Sequence, residues 1–402
     1  MSDIDHQPLA QPSAGNAALP WKNWLAVGVL GISSFSIVTT ELAPVGLLSP
    51  LADDFGLTTG KAGLIVTAYA WIAAIAALLS ATLLSRVPRK PLLIGLMTLL
   101  ALSSFVAAGA AQFSTLLIAR MAGALAHGAF WAMIGTVGAQ LVPANRIGLA
   151  TSIIFGGVSA ASVAGVPLAN LLAQSDGWRT AFIAVSALSL IAAGAMLLTL
   201  PRLPRSVSPG WRELSAIVRN RSFLLIYATT ACAITAHFAA FTYIEPLLSK
   251  ALHIRPGLVS SLLLVFGVAG ILGNVISGKL IDRQLKPLVL VALMLMAAAV
   301  LAIGLLPDNG SALSASALLL GWGIGVAIVF VGFQSWILRL AGEAAMPASA
   351  IYVAIFNAAI GAGALVGGAI LSVSSLSGLM MIVSAALIVS LLAVIVIKAP
   401  QQ

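Results

Sequence analysis

The stretch AAMPASAIYVAIFNAAIGAGALVGGAILSVSSLSGLMMIVSAALIVSLLAVIVI, residues 344–397, contains no Asp, Glu, Lys or Arg. A helix rises about 1.5 Å per residue, so about 20 apolar residues cross the roughly 30 Å core of a bilayer. The stretch is too long for one crossing, and the sequence SSLSG at 374–378 predicts a turn that divides it. It therefore indicates two membrane-spanning helices.

The whole chain has the same character, because 60% of its 402 residues are hydrophobic and only 8% are charged. A soluble domain carries about 25% charged residues, so there is too little polar surface for a water-soluble body. The net charge of +9 would fit a nucleic-acid partner, but the basic residues lie in short connections between apolar runs. We expect no nucleic-acid partner. The composition predicts an all-α polytopic membrane protein.

Several classes of function are disfavoured by what the sequence lacks. The single cysteine, Cys232, excludes an intrachain disulfide and a multi-cysteine metal site. The sequence has no Gly-x-Ser-x-Gly elbow, no His-Glu-x-x-His and no Walker loop, so we predict no enzyme activity, no metal and no cofactor. Residues 1–20 have no basic n-region followed by an apolar stretch, and no cleavable signal peptide is expected.

The uncharged runs of the chain predict twelve spans. They lie near 24–48, 61–84, 91–111, 114–141, 148–173, 179–200, 222–248, 258–281, 287–306, 312–341, 350–372 and 377–397. An even number of spans puts both termini on one side, and fifteen of the twenty Lys and Arg residues fall on that side. The positive-inside rule then predicts that the tails, 1–23 and 398–402, are cytoplasmic.

The longest connection, 201–221, is rich in Pro and Arg and divides the chain into halves of six spans, 24–200 and 222–397. The halves share short sequence matches: LLS at 47–49 recurs at 247–249, and IF at 154–155 recurs at 355–356. The similar offsets indicate a duplicated, pseudo-symmetric pair of bundles. Tandem six-span repeats without a nucleotide-binding motif favour a secondary transporter, with its site where the repeats meet.

At this point the sequence resembles the major facilitator superfamily over nearly its whole length. Span 5 carries Gly156, Gly165 and Pro167, which resemble the antiporter motif of the drug:proton and sugar efflux branch, although Val166 separates the usual Gly-Pro pair. The family's loop motif G-x-x-x-D-R has a match in each half of the chain. Its residues are Gly278, Asp282 and Arg283 in the second half, and the degraded copy Arg86, Arg89 and Lys90 in the first. The resemblance implies conformational roles for these positions.

Three stretches narrow the resemblance to bacterial sugar efflux transporters. They are TTELAPVGLL at 39–48, AHGAFW at 126–131 and TAHFAAFTYIEP at 235–246. Members of that subgroup are proton-driven exporters of arabinose-type sugars and isopropyl thiogalactoside in bacterial inner membranes. The resemblance also implies that spans 1, 4, 7 and 10 surround a central cavity.

Ionisable groups inside a bilayer are costly, by about 2.5–3.5 kcal/mol at a helix centre, so each one invites a functional hypothesis. The candidates for proton coupling are Glu41, Arg120, His127, His237 and Glu245. We hypothesise that Glu41 exchanges the proton and that Arg120 is its cationic partner; the alternative is a static ion pair. The histidines are proton carriers or packing residues, and Glu245, near a span end, is a coupling or a solvated acid.

Sugar sites combine hydroxyl-directed polar groups with flat aromatic faces. The candidates for the substrate cavity are Thr39, Thr40, Phe130, Trp131, Phe241, Tyr243, Gln334 and Asn357. Aromatic residues in such a chain also anchor spans at the membrane surface, and an asparagine also bonds between helices.

The sequence thus predicts a proton-coupled exporter of sugars such as arabinose, energised by the proton gradient and acting by alternating access. The alternatives are a multidrug or small-metabolite proton antiporter and, from a different class, a passive facilitator. The expected partners are a small sugar-like substrate, protons and membrane lipid. We expect a monomer in the bacterial inner membrane.

Overall fold

The computed structural model describes residues 21–84, 87–143, 146–203, 217, 219–306, 311–341 and 345–398. The described residues form helices and contain no strand, and twelve of the helices are long and apolar enough to cross a membrane. These are α1 (Trp21–Gly46), α2 (Leu64–Leu83), α3 (Arg89–Ala108), α4 (Phe113–Leu141), α5 (Ile147–Asp176), α6 (Trp178–Thr199), α7 (Arg221–Phe241), α8 (Pro256–Ile281), α9 (Arg283–Gly304), α10 (Ala312–Ala341), α11 (Ala345–Leu371) and α12 (Leu376–Val396). The predicted all-α fold with twelve spans is confirmed.

The clearest differences between the predicted and the observed helices lie at two places. The seventh span was expected to run to residue 248, but α7 ends at Phe241 and is followed by a short turn, Ile244–Pro246, and a π-helical turn, Leu247–Ala251. The eighth and ninth spans were expected to be separate, but they are continuous except at Gln284, whose φ is −136° and ψ is 39°. Pro287 lacks the N–H that would bond to the carbonyl of Arg283, which favours a break at this point.

The twelve helices pack as two six-helix halves. In the first half α1 packs on α5 and α2 packs on α4; in the second half α7 packs on α11 and α8 on α10. A shift of six helices converts one set of pairs into the other, which confirms the predicted pseudo-symmetry. The halves meet through α2 with α11 and α5 with α8, and these two pairs are again related by the same shift. Residues 204–216 of the predicted linker lie outside the described part of the chain.

The end of the bundle opposite the two chain termini is called the far end. There the short helix Leu48–Asp54 follows α1, and a one-turn helix, Thr59–Ala62, precedes α2. Large apolar side chains such as Leu198, Val373 and Val396 are more than four-fifths exposed on the outer surface. Such exposure is typical of a membrane protein, because apolar side chains that face lipid carry no hydration penalty.

Candidate functional site

Four polar side chains meet inside the first half, in the portion of the bundle nearer the far end. Glu41 comes from α1, Tyr69 from α2, and Arg120 and His127 from α4. The Glu41 Oε2 atom lies 3.8 Å from His127 Nε2, and the other ring nitrogen of His127 lies 3.4 Å from the Tyr69 hydroxyl. His127 is buried, and Glu41 is nearly so. The four side chains therefore form one connected cluster, which we call the N-half polar cluster.

Arg120 is held in this cluster by aromatic rings. Its guanidinium carbon lies 4.0 Å from the centre of the Tyr69 ring and 5.7 Å from that of Phe182. The side chain is fully buried, and none of its nitrogens has a hydrogen-bond partner among the described residues. Among the described residues, a nitrogen of His127 lies within 4.0 Å of the Glu41 carboxylate, and no nitrogen of Arg120 does. The expected direct Glu41–Arg120 pair is therefore replaced by a Glu41–His127 pair, with Arg120 acting on Glu41 over a longer distance.

His237 lies in a different environment, inside the second half. Its Nδ1 atom accepts a hydrogen bond of 3.1 Å from the indole N–H of Trp322 on α10. Its ring stacks on Phe241 at 5.2 Å between ring centres, Phe238 stands edge-on at 4.8 Å, and Phe266 and Phe330 lie further out. The two predicted histidines thus differ: His127 faces a carboxylate, and His237 lies in an aromatic cluster with its Nδ1 hydrogen-bonded to Trp322.

Glu245 lies at the far end, in the turn after α7, outside the spanning helices. It is buried, and it accepts hydrogen bonds of 2.9 Å from the Ser49 N–H and 2.9 Å from the Ser249 hydroxyl. Burial raises the pKa of Glu245, while these two hydrogen bonds and the nearby Lys250 partly oppose the rise. Because Ser49 belongs to the first half, this carboxyl joins the two halves. It is not the solvated acid that its position near a span end suggested.

The cavity candidates of the first half divide by exposure. Phe130 is fully buried in the core, and Thr40 donates to the Ser36 carbonyl within α1. Thr39 is buried, and its hydroxyl has no hydrogen-bond partner in the described structure. Trp131 is only half-buried, and its ring centre lies 6.3 Å from that of His127. Trp131 is therefore the candidate of this half that combines access with contact to the N-half polar cluster.

The cavity candidates of the second half are mostly engaged in packing. Tyr243 is fully buried, and its hydroxyl donates to the Ala364 carbonyl at 2.7 Å, which connects the segment after α7 to α11. Phe241 belongs to the aromatic cluster around His237. Gln334 is half-buried and donates to the Ser349 hydroxyl at 3.0 Å. Asn357 donates to the Val353 carbonyl, while its own oxygen has no partner among the described residues.

The residues of the predicted antiporter motif lie where α5 meets α1 and α8. A Cβ at Gly165 would stand 2.9 Å from the Thr39 hydroxyl, so this glycine lets α1 and α5 approach. Gly156 has no neighbouring atom within 4 Å of a Cβ position, so close packing does not explain it. Pro167 leaves the Val163 carbonyl without its intrahelical donor, and α8 packs against the backbone at that point through Gly267.

The loop-motif residues lie at the end of the bundle nearer the termini. Gly278 and Arg283 are exposed, Arg89 is buried at the start of α3, and Lys90 is half-buried beside it. Arg86 and the side chain of Asp282 lie outside the described part of the structure.

Three residues of these arrangements were not predicted. Tyr69 and Trp322 were missed because hydropathy does not show which aromatic residues of a span face the interior. Tyr69 is one of four tyrosines and lies in an otherwise apolar span, which is the signal that would have found it. Ser49 was noticed as part of the LLS repeat, but no hydrogen bond from its backbone to Glu245 followed from that pattern.

Comparison with known proteins identifies the family to which the chain belongs. The sequence profile of the Major Facilitator Superfamily matches residues 29–347. Among solved structures, the chain is similar to a bacterial homologue of the human lysosomal transporter Spinster in an inward-facing, unoccupied conformation (15% identity, 95% of this chain and 96% of that one, TM-score 0.72). It is also similar to the human organic anion transporter MFSD10, with 17% identity over 93% of this chain and 99% of that one and a TM-score of 0.67. A third similar structure is that of the nucleoside transporter NupG, with 13% identity over 93% of this chain and 99% of that one and a TM-score of 0.77. At these identities the likeness shows a shared fold.

Proposed function

The chain belongs to the major facilitator superfamily of membrane transporters, and we propose that it is a proton-coupled antiporter that exports small sugars. In this proposal both termini are cytoplasmic, the protein works as a monomer in a bacterial inner membrane, and substrate and proton bind alternately from the two sides. The proton gradient supplies the energy: one proton moving down 100 mV yields about 2.3 kcal/mol.

The observation that carries the proposal is the Glu41–His127 pair. If the Tyr69 hydroxyl donates to Nδ1 of His127, the ring proton is on Nε2, the nitrogen that faces the carboxylate. Glu41 then has a donor in His127 and a fixed positive charge in Arg120 when it is ionised. A proton on Glu41 removes the charge that holds this arrangement together. A helix movement that opens α1 from α4 would change the affinity of Glu41 for that proton, and this is the requirement for coupling.

Sugars are the proposed substrates because of the three stretches that resemble sugar efflux transporters, two of which contain Glu41 and His127 of the N-half polar cluster. Trp131 offers a half-buried aromatic face beside His127, and Gln334 offers an amide in the second half. A sugar ring presents an apolar face and several hydroxyls, which match these two kinds of group.

A second candidate is a proton antiporter for flat aromatic substrates, such as nucleosides or cationic dyes. The aromatic cluster of the second half supports it. The ring centres of Phe241 and Phe266 lie 5.0 Å apart, and Trp322 and Phe330 stand edge-on to the His237 ring. These faces would stack on a planar molecule if α7 and α10 moved apart.

Purified protein in liposomes under an imposed pH gradient tests the proposal, with labelled arabinose, labelled uridine and a cationic dye as substrates. Wild-type protein should accumulate arabinose against its gradient, and a protonophore should abolish the accumulation. Glu41→Gln should reduce uphill transport at least about tenfold, because the proton-binding group is lost, while substrate exchange without a gradient continues. Asp176→Asn, which alters an exposed acid at the end of α5, is the matched control.

Each alternative outcome has one meaning in this experiment. Accumulation of uridine or dye without arabinose would favour the aromatic-substrate antiporter. Downhill flux that ignores the pH gradient would favour a passive facilitator. Normal uphill transport by Glu41→Gln would remove Glu41 from the mechanism.

A further inference from the structure

A groove of about 780 Å³ opens at the far end where the two halves meet. One wall comes from the one-turn helix Thr59–Ala62 and the start of α2, and the other comes from the end of α11 and the turn before α12. The groove is separate from the N-half polar cluster, whose residues do not line it. Its described lining includes one charged side chain, Lys61, which is exposed.

The groove combines one cation and hydroxyl-bearing residues with aliphatic side chains. Lys61, Thr59 and Ser374 line it in the short helix and the turn at the far end, together with the aliphatic Leu57, Leu371 and Leu376. Further along α2 and α11, toward the middle of the bundle, it is lined by Leu64 and Leu365, both more than a third exposed. This combination, a cation and hydroxyls next to an open aliphatic wall at the end of a spanning helix, is complementary to a phosphate joined to an acyl chain.

We propose that this groove binds one glycerophospholipid from the leaflet at the far end. Its phosphodiester lies at Lys61 and within reach of Thr59 and Ser374, and one acyl chain lies along Leu64 and Leu365. The lysine matches a headgroup with one negative phosphate, since no acid lines the described part of the groove to compete with it.

The position of the groove gives the lipid a consequence for the whole protein. Its two walls belong to different halves, and they touch where the backbone of Gly60 packs against that of Gly368. A lipid that contacts both walls binds fully only while this seam is closed. Occupancy therefore favours the conformation that is closed at the far end.

Native mass spectrometry of the delipidated, detergent-solubilised full chain tests the site. The protein is titrated with palmitoyl-oleoyl phosphatidylglycerol, with a diacylglycerol of the same acyl chains, and with phosphatidylglycerol in the presence of excess inorganic phosphate. We expect one phosphatidylglycerol to bind at least about tenfold more tightly than the diacylglycerol, and inorganic phosphate to compete weakly. Lys61→Gln should abolish that preference, and Arg255→Gln, an exposed arginine at the same end, should keep it.

A second variant tests lipid binding in the groove without changing its charge. Ala369 lines the groove and is exposed, so Ala369→Trp should fill it and remove tight binding of both lipids while Lys61 stays in place. If Lys61→Gln and Ala369→Trp each bind phosphatidylglycerol as wild type does, the groove is not a lipid site. Complete displacement by inorganic phosphate, with no gain from the acyl chains, would also overturn the proposal. Transport is not measured in this experiment, so its outcome is independent of the proposed export function.

Discussion

Arg120 occupies a position where an unbalanced charge is expensive. On insertion scales an ionised side chain costs up to about 2.5–3.5 kcal/mol, the value at the centre of a spanning helix, and Arg120 lies buried between the start and the middle of α4. The face of the Tyr69 ring, 4.0 Å from the guanidinium, offsets part of this cost, because a desolvated cation–π contact contributes about 2 kcal/mol. Glu41 supplies the opposite charge from α1. Tyr69 therefore supports two groups of the N-half polar cluster: its ring faces Arg120, and its hydroxyl meets His127.

The substitution Tyr69→Phe separates these two roles because it keeps the ring and removes the hydroxyl. We expect the stability of the protein to fall by no more than about 1 kcal/mol, the usual contribution of one hydrogen bond. The pH profile of proton-driven transport should shift, because His127 loses the partner that selects its tautomer. Initial rates in liposomes across a range of pH, with thermal unfolding in detergent, measure both effects.

The control for this substitution is Tyr69→Leu, which also removes the ring. It should destabilise the protein by about 2 kcal/mol more than Tyr69→Phe, since Arg120 then loses its cation–π partner. A pH profile in Tyr69→Phe that is identical to that of wild type would show that the hydroxyl does not set the protonation of His127.

At the scale of the element, α1 and α5 pack at a distance that depends on single glycines. A Cβ at Gly157 would fall on the carbonyl oxygen of Gly31 and against the backbone of Phe35. The preceding residue, Gly156, faces outward and would meet no atom within 4 Å. Two neighbouring glycines of the same helix therefore have opposite environments, although both belong to the same Gly-rich stretch.

This contrast predicts opposite effects of one methyl group. Gly157→Ala should destabilise the protein by about 1–3 kcal/mol, because backbone atoms of α1 must move away, and it should slow transport. Gly156→Ala should be neutral or stabilise α5 by up to about 1 kcal/mol, since alanine is the better helix former. Thermal unfolding and exchange rates of the two variants measure the effects; equal effects would mean that α1 and α5 are not in contact at Gly157.

The elements were predictable from sequence because lipid imposes a simple rule on them. A span needs about 20 apolar residues whatever its neighbours are, so uncharged runs located all twelve helices. The break after Phe241 and the continuity through Gln284 depend on local turns, which hydropathy does not register. The partners inside the site were harder to predict: the sequence places Glu41 and Arg120 within spans, but the rotation of the helices decides that Glu41 meets His127. Tyr69 was not predicted because the pattern of an apolar span does not show that its hydroxyl faces a buried histidine.

At the scale of the whole molecule, the far end is closed by contacts of unequal strength. The ion pair between Lys250 and Asp53 spans 2.9 Å, but the two side chains are 42% and 69% exposed, so water screens it and it contributes at most about 1 kcal/mol. Glu245 is buried between Ser49 and Ser249. Burial raises the pKa of this carboxyl above its ordinary value of 4.5, so the closed seam binds a proton more tightly than the open, solvated one. Protonated Glu245 therefore stabilises the closed far end fully at a pH below that ordinary value. This stabilisation is lost as the pH rises through the raised pKa.

Because burial raises the pKa of Glu245, we predict that the far end of the wild-type protein opens as the pH rises above the ordinary carboxyl value of 4.5 and the buried carboxyl loses its proton. Spin labels on Gln112→Cys and Leu313→Cys, exposed far-end positions in the two halves, with Cys232→Ser, report the distance by double electron–electron resonance. Glu245→Gln should abolish the pH dependence and keep the short distance, because the amide stays neutral. Asp53→Asn removes the exposed ion pair and should leave the dependence intact. If Glu245→Gln opens with pH as wild type does, another group controls the seam, and Glu245 only holds Ser49 in place.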